Sequence, residues 1–202
     1  STLPLKAMPA KPLHPILENH YYHLYNRAHG NEIMFYNDDN YSFFLRKFKQ
    51  FVSPVAHVAC FCLMPNHYHF LILTKNIEEI QWDKLNMEPK ELSPGEYNQL
   101  IIHQITKLQI SYTIALNNQR KRKGGLFMNP FQRKAISGFQ YLLELVIYIH
   151  NNPIKSGICK SPEKWKFSSY RYFILKKPSW FPLIKTTEWF SSIENFTEIH
   201  KI

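Results

Sequence analysis

A chain of 202 residues that is 45% hydrophobic and 15% aromatic can bury one substantial core. No apolar run approaches the roughly 18 to 20 residues needed to cross a bilayer, which excludes a helical membrane protein. Its 25 Lys and Arg against 15 Asp and Glu give a net charge of +10 and a pI near 9.4, which favours polyanionic partners, nucleic acid first and an anionic membrane surface second.

In chain order, the stretch from Ser1 to Pro15 holds four prolines and little pattern, so an irregular arm is expected over residues 1–19 of a single domain. Tyr21-Tyr22-His23-Leu24-Tyr25-Asn26-Arg27, bounded by Gly30, reads as a first strand with Tyr22 and Leu24 on one face. Asn37 to Asn40 offer helix N-caps before Tyr41, Phe44, Leu45, Phe48 and Val52, apolar at helical spacing until Ser53-Pro54. Val55 to Met64 is apolar on both faces, as in a strand buried on both sides, and Pro65-Asn66 turns it into a strand from His67 to Thr74. Cys60 and Cys62 sit inside that hairpin. With Cys159 they make neither a disulfide framework nor a Cys-x-x-Cys zinc site, so free thiols in a reducing cytoplasm are expected; nothing at the N-terminus reads as a secretory signal.

Residues 76–95 are acidic and contain proline, and read as an insertion. A second helix is predicted from Glu96 to Asn118 through Leu100, Ile101, Ile105, Leu108, Ile114 and Leu116. A basic loop follows with Arg120, Lys121, Arg122 and Lys123, and Arg133 and Lys134 lie just beyond it. Leu126-Phe127 and Phe131 to Ile136 are short strand candidates. A third helix is predicted from about Ser137 to Asn152, with Phe139, Leu142, Leu143 and Val146 as its apolar stripe, Tyr148 on the opposite side and Pro153 as its end. Downstream aromatics, Trp165, Phe167, Tyr170 and then Trp180, Phe181, Trp189 and Phe190 in a tail at 173–202, are expected to pack back on the domain.

Two places carry chemistry. His67 and His69 are two apart on a strand, so they share a face with Cα atoms about 6.6 Å apart. They could close on one metal ion, or be a polar pair on the open face of a half-buried strand. Tyr148 and Asn152 are four apart on a helix and project from one side; the plainer reading of such a tyrosine is a surface or interface residue. Two imidazoles and one amide oxygen leave room for a phosphate oxygen and water, a donor set that accepts Mg²⁺ or Mn²⁺, the imidazoles leaning toward Mn²⁺. A tyrosine beside that ion could be a nucleophile. Arg120, Lys121, Arg122, Lys123, Arg133 and Lys134 are either phosphate contacts or solubility charges.

Leu63-Met64-Pro65-Asn66-His67-Tyr68-His69-Phe70-Leu71 resembles the histidine-hydrophobic-histidine motif of the single-tyrosine HUH transposases. It is similar in particular to the IS200-like enzymes and their branch associated with repetitive extragenic palindromes (REP). Tyr25-Asn26-Arg27, Gly125-Leu126-Phe127, Phe131-Gln132-Arg133, Tyr148 to Gly157 and Trp165 to Tyr170 match in the same order, so the resemblance spans about residues 20–172. It implies an α+β fold with a ferredoxin-like, RRM-like core, a central antiparallel sheet and helices packed on it. It also implies cleavage and joining of single-stranded, hairpin-bearing DNA through a 5′-phosphotyrosine bond. Tyr148 matches the nucleophile, His67 and His69 the metal pair, and Asn152 the third ligand of a Mg²⁺ or Mn²⁺ ion. The branch implies a monomer, with a homodimer as the alternative, in the cytoplasm at the nucleoid and with no membrane partner. Two other classes stay open: a non-catalytic RRM-like module that stacks single-stranded bases, and a metal-dependent hydrolase in which water attacks and Tyr148 only packs.

Overall fold

Residues 13–175 and 181–201 are described by the computed structural model; most of the expected N-terminal arm, and Trp180, lie outside them. The elements are β1 (Tyr21–Arg27), α1 (Asp38–Phe51), β2 (Ala56–Met64), β3 (His67–Thr74), a one-turn α2 (Trp82–Leu85), α3 (Pro94–Arg120), β4 (Gln132–Ala135), α4 (Phe139–Lys155), α5 (Tyr170–Ile174) and α6 (Ile193–Ile199). The strands form one antiparallel sheet in the order β2-β3-β1-β4. With α1 joining β1 to β2 and α3 joining β3 to β4, this is the expected ferredoxin-like α+β arrangement, with α4 added after it.

Local chemistry explains the main elements. The Asn37 side chain accepts from Asn40 N, and Asp38 and Asp39 occupy the first turn of α1, where carboxylates meet the positive end of the helix dipole. Ser93 and Glu96 form a capping box around Pro94 at the start of α3. The β2–β3 turn is only Pro65-Asn66, and its carbonyls are tied back to the segment after β1: Ala28 N donates to Asn66 O (2.9 Å), Met34 N and Phe35 N to Pro65 O (2.8 and 3.1 Å).

Because side chains alternate along each strand, the sheet has two different faces. Tyr22, Leu24, Phe61, Leu63, Tyr68, Phe70 and Ile72 are buried with the apolar residues of α1 and α3. Phe48 stacks on Phe70 at 3.9 Å between ring centroids. On the other face, Cys60, Cys62, Met64 and Leu71 meet Leu142, Leu145, Val146 and Ile149 of α4, with Tyr170, Phe190 and Phe196 completing the cluster. The cysteines are free, Cys60 and Cys62 buried.

Several expectations change. Pro153 does not end α4, which runs on to Lys155. A proline so near the C-terminus forfeits one backbone bond, and the next turn still closes through Ser156 N to Asn152 O at 3.0 Å. The buried stripe of α4 is Leu142, Leu145, Val146 and Ile149, while Phe139 is 58% exposed. That shift brings Tyr148 from the far side of the helix to its flank, roughly 120° from the stripe's centre. Ile114 of α3 is also exposed. Leu126-Phe127 makes a single bridge, Phe127 with Ala28, rather than a strand. Residues 76–95 contribute Ile80, Trp82 and Leu85 to the core. The tail and the segment before it cover the outer edge of β2, where Ile184 N donates to Val58 O (2.9 Å) and Leu63 N to Phe167 O (2.9 Å).

Candidate active site

The second face of the sheet is only half covered. α4 lies on β2 and β3, and beside it a cleft of about 810 Å³ opens, lined among others by Tyr25, Arg27, Asn66, His67, His69, Gln132 and Tyr148. Strand parity decides which residues reach it. Arg27 pairs with His67 and Tyr25 with His69 across β1 and β3, and Gln132 pairs with Tyr25 across β1 and β4, so all five share one face. No Asp or Glu is among the described residues lining the cleft.

The sequence-predicted pairs meet here. The His67 and His69 rings stand 5.1 Å apart, nearly perpendicular. His67 Nε2 lies 3.3 Å from Asn152 Oδ1, and the Tyr148 ring lies edge-on to His69 at 5.7 Å. Tyr148 is 40% exposed, Asn152 only 7%. The Lys155 ammonium sits 5.2 Å from the centre of the Tyr148 ring. Desolvation is the largest influence on both imidazoles: it lowers the pKa of His67, and for His69 the neighbouring His23 and His67 push further in the same direction. Both rings are therefore neutral at pH 7, the form in which histidine binds metal.

His23 was not singled out in the sequence. It projects from β1 on the cleft face, with Nε2 2.9 Å from His69 Nδ1, and burial, helped by the charge of Lys134, brings its pKa down to about 4. The signal was available in the parity of β1, which puts His23 with Tyr25 and Arg27, away from Tyr22 and Leu24.

Whether these groups suit a divalent cation can be judged from His67. Its Nδ1 is 2.7 Å from Asn66 Oδ1 and its Nε2 is 3.3 Å from Asn152 Oδ1, yet a neutral ring has one N–H to give. If the shorter contact takes it, the Nε2 lone pair faces an oxygen lone pair. Their 3.3 Å separation is close to the roughly 3 Å between neighbouring ligands that each stand about 2.1 Å from one octahedral ion. The donor set fits a hard cation that keeps oxygens from elsewhere. Among the described residues no group of three or more His, Cys, Asp or Glu side chains is placed to hold a metal, so the third protein ligand would be the amide.

The basic candidates separate. Arg120 lies over the Tyr36 ring at 4.2 Å, and Lys121 and Lys123 are exposed. Arg122 is engaged internally, with Glu32 at 2.7 Å and Asn117 Oδ1 at 2.5 Å. Lys134 pairs with His23 on the cleft face and donates to the Tyr141 hydroxyl (2.8 Å). Arg133 pairs with Leu24 on the opposite face and donates to His14 O (2.8 Å).

No protein-family model matches the chain, and no curated protein does so. Among solved structures it is similar to a REP-associated tyrosine transposase bound to a REP hairpin, with 14% identity, 85% of this chain and 89% of that one covered, and a TM-score of 0.60. Weaker likenesses are to a bacterial tRNA(His) guanylyltransferase-like protein in complex with ATP (14% identity, 70% and 62% covered, TM-score 0.40) and with GTP (14%, 70% and 67%, 0.41). At 14% identity the first likeness establishes a shared fold; the other two carry no argument. Among the described residues no helix is long and apolar enough to cross a membrane.

Proposed function

We propose that this chain, which shares the fold of a REP-associated tyrosine transposase, is a divalent-metal-dependent transposase that cleaves and rejoins single-stranded, hairpin-bearing DNA. What carries the reading is the meeting, at one cleft, of a half-exposed phenol, two neutral imidazoles and an amide oxygen, from a strand and a helix whose His67 and Asn152 are 85 residues apart in sequence.

In this reading His67, His69 and Asn152 hold Mg²⁺ or Mn²⁺, which when bound polarises the scissile phosphate and offsets charge on its oxygens. Tyr148 Oη attacks the phosphorus and the bond to the 3′-oxygen breaks. The phenol's proton passes to water in the cleft, and the departing 3′-oxygen takes one up. A 5′-phosphotyrosine and a free 3′-hydroxyl result, and attack by another 3′-hydroxyl reverses the step, so no nucleotide cofactor is consumed. A neutral phenol is a poor nucleophile; Lys155, over the Tyr148 ring, offsets negative charge as the proton leaves. Arg27, exposed and paired with His67, faces the incoming phosphate. Lys134, Arg120, Lys121 and Lys123 follow the DNA backbone. Arg122 and Arg133 contribute less, being engaged within the protein. One chain supplies every group named, which favours a monomer over a homodimer, working on DNA in the cytoplasm.

The test is to incubate the protein with Mn²⁺ and labelled single-stranded oligonucleotides carrying hairpins, then run a denaturing gel. A covalent adduct is expected with the native protein and none with Tyr148→Phe, which keeps the ring. No adduct across a broad hairpin set, or one that persists in Tyr148→Phe, overturns the reading. Tight binding without an adduct would favour a non-catalytic single-strand binder, for which the aromatic rings of Tyr25 and Tyr148 at the cleft offer stacking surfaces.

A further inference from the structure

Two side chains meet the candidate ligands at the ring nitrogen Nδ1: Asn66 at His67 and His23 at His69. A histidine can bind metal through Nε2 only if that nitrogen carries no proton, and a neutral histidine free in water prefers the opposite arrangement, with the proton on Nε2. Something must therefore turn the tautomer round, and the partner of the second ring nitrogen is what does so.

We infer that Asn66 and His23 are positioning residues that hold His67 and His69 as Nδ1–H tautomers, so that their Nε2 lone pairs are free toward the cleft beside Asn152. The inference rests on the metal reading above. Asn66 Oδ1, at 2.7 Å from His67 Nδ1, can only accept, which draws the ring's single proton to Nδ1. Asn66 is itself held in the two-residue turn, where its carbonyl accepts from Ala28 N. The arrangement at His69 is the diagonal version of this. His23 Nε2 stands 2.9 Å from His69 Nδ1, with the two rings stacked at 5.1 Å and 30°. Such a contact holds one proton, and the metal reading decides its owner: an Nε2 left free for the ion puts the proton of His69 on Nδ1, with His23 Nε2 accepting it. His23 and His69 are both more than nine-tenths buried, so water is a poor competitor for the hydrogen bond between them. Each histidine thus has one nitrogen bound to the protein and one left over.

The tautomers can be read on the intact, metal-free protein by long-range ¹H–¹⁵N correlation of the histidine rings, in which protonated and bare ring nitrogens resonate far apart. The expected result is a proton on Nδ1 of both His67 and His69. Asn66→Ala should move the proton of His67 to Nε2, where Asn152 Oδ1 can accept it, and His23→Leu should do the same for His69. Each variant should weaken Mn²⁺ binding, measured by titration without DNA, about tenfold or more. Asn66→Asp and His23→Gln keep an acceptor in place and should hold the native tautomer and affinity near that of the native protein. A proton on Nε2 of either ring in the native protein overturns the inference, and that measurement needs no variant to fold. So does unchanged Mn²⁺ affinity in folded Asn66→Ala and His23→Leu. Because neither readout involves DNA, correct tautomers and tight Mn²⁺ binding without a covalent adduct would uphold the inference while the transposase reading fails.

Discussion

The two faces of the sheet are built from the same strands and differ in almost every physical respect. On the α1 and α3 side, Tyr68, Phe70, Phe44 and Phe48 are fully buried, and the rings pack on one another. On the α4 side, the neighbouring residues His67 and His69 stand beside an open cleft with His23, Asn152 and Tyr148. A strand that alternates can hold a dry core with one set of side chains and present polar groups with the other, so the rigidity of the first face locates the chemistry of the second. β3 does this within four residues: Tyr68 and Phe70 anchor the strand from below and fix where His67 and His69, which alternate with them, point.

The largest effect that would break this comparison is a cavity on the sealed side. Phe70→Ala removes a ring that stacks on Phe48, and should cost about 3–5 kcal/mol of folding stability. Denaturant titration would show it, and Mn²⁺ affinity should fall as well, because β3 carries both histidines.

Acid should sharpen the contrast. His200, fully buried beside His150 on the α4 side, is neutral in the folded protein, with burial bringing its pKa down to about 4. In the unfolded chain it titrates near 6.5. Its contribution is complete above pH 6.5 and falls by about 1.4 kcal/mol per unit between there and pH 4, since the unfolded state takes up the proton first. His150, lowered by burial in the same direction, adds to the loss. Hydrogen exchange at pH 5 should open α4 and α6 before α1 and α3; uniform loss of protection would contradict the difference between the faces.

The smallest effect separates two adjacent cations. Lys134→Ala, on the cleft face, should weaken single-stranded DNA binding by about 1 kcal/mol and lower the salt dependence by about 0.7 in slope. Arg133→Ala, on the sealed face and bonded to His14 O, should change both much less. Fluorescence anisotropy over a range of salt concentrations distinguishes them.

How much of this could be read in the sequence followed from the range of the interactions involved. β1, α1 and the β2–β3 hairpin were legible because Tyr22 and Leu24, Phe44 and Phe48, and Pro65-Asn66 each report on their own neighbourhood. The phase of α4 was misread because Phe139 is as apolar as Leu145, and only the docking of the helix on β2 and β3 decides which of them is buried. Pro153 obeyed a rule about helix interiors in a place where little interior remained. His23 escaped because its partner is 46 residues away, and no local pattern marks an imidazole that bonds to another. Arg122 looked like its basic neighbours, yet Glu32, which binds it, is 90 residues distant. The pairing of Tyr148 with Asn152 was legible from their spacing alone, whereas its approach to the strand histidines required the fold.

The turn at Pro65-Asn66 also constrains how this protein can change. Its two carbonyls are already taken by Ala28, Met34 and Phe35, so neither the hairpin nor the segment leaving β1 can gain or lose a residue without unmaking bonds in the other. The two loops form a single heritable unit, and an insertion in one would survive only with a compensating change in its partner, even though the segments are not contiguous in the gene.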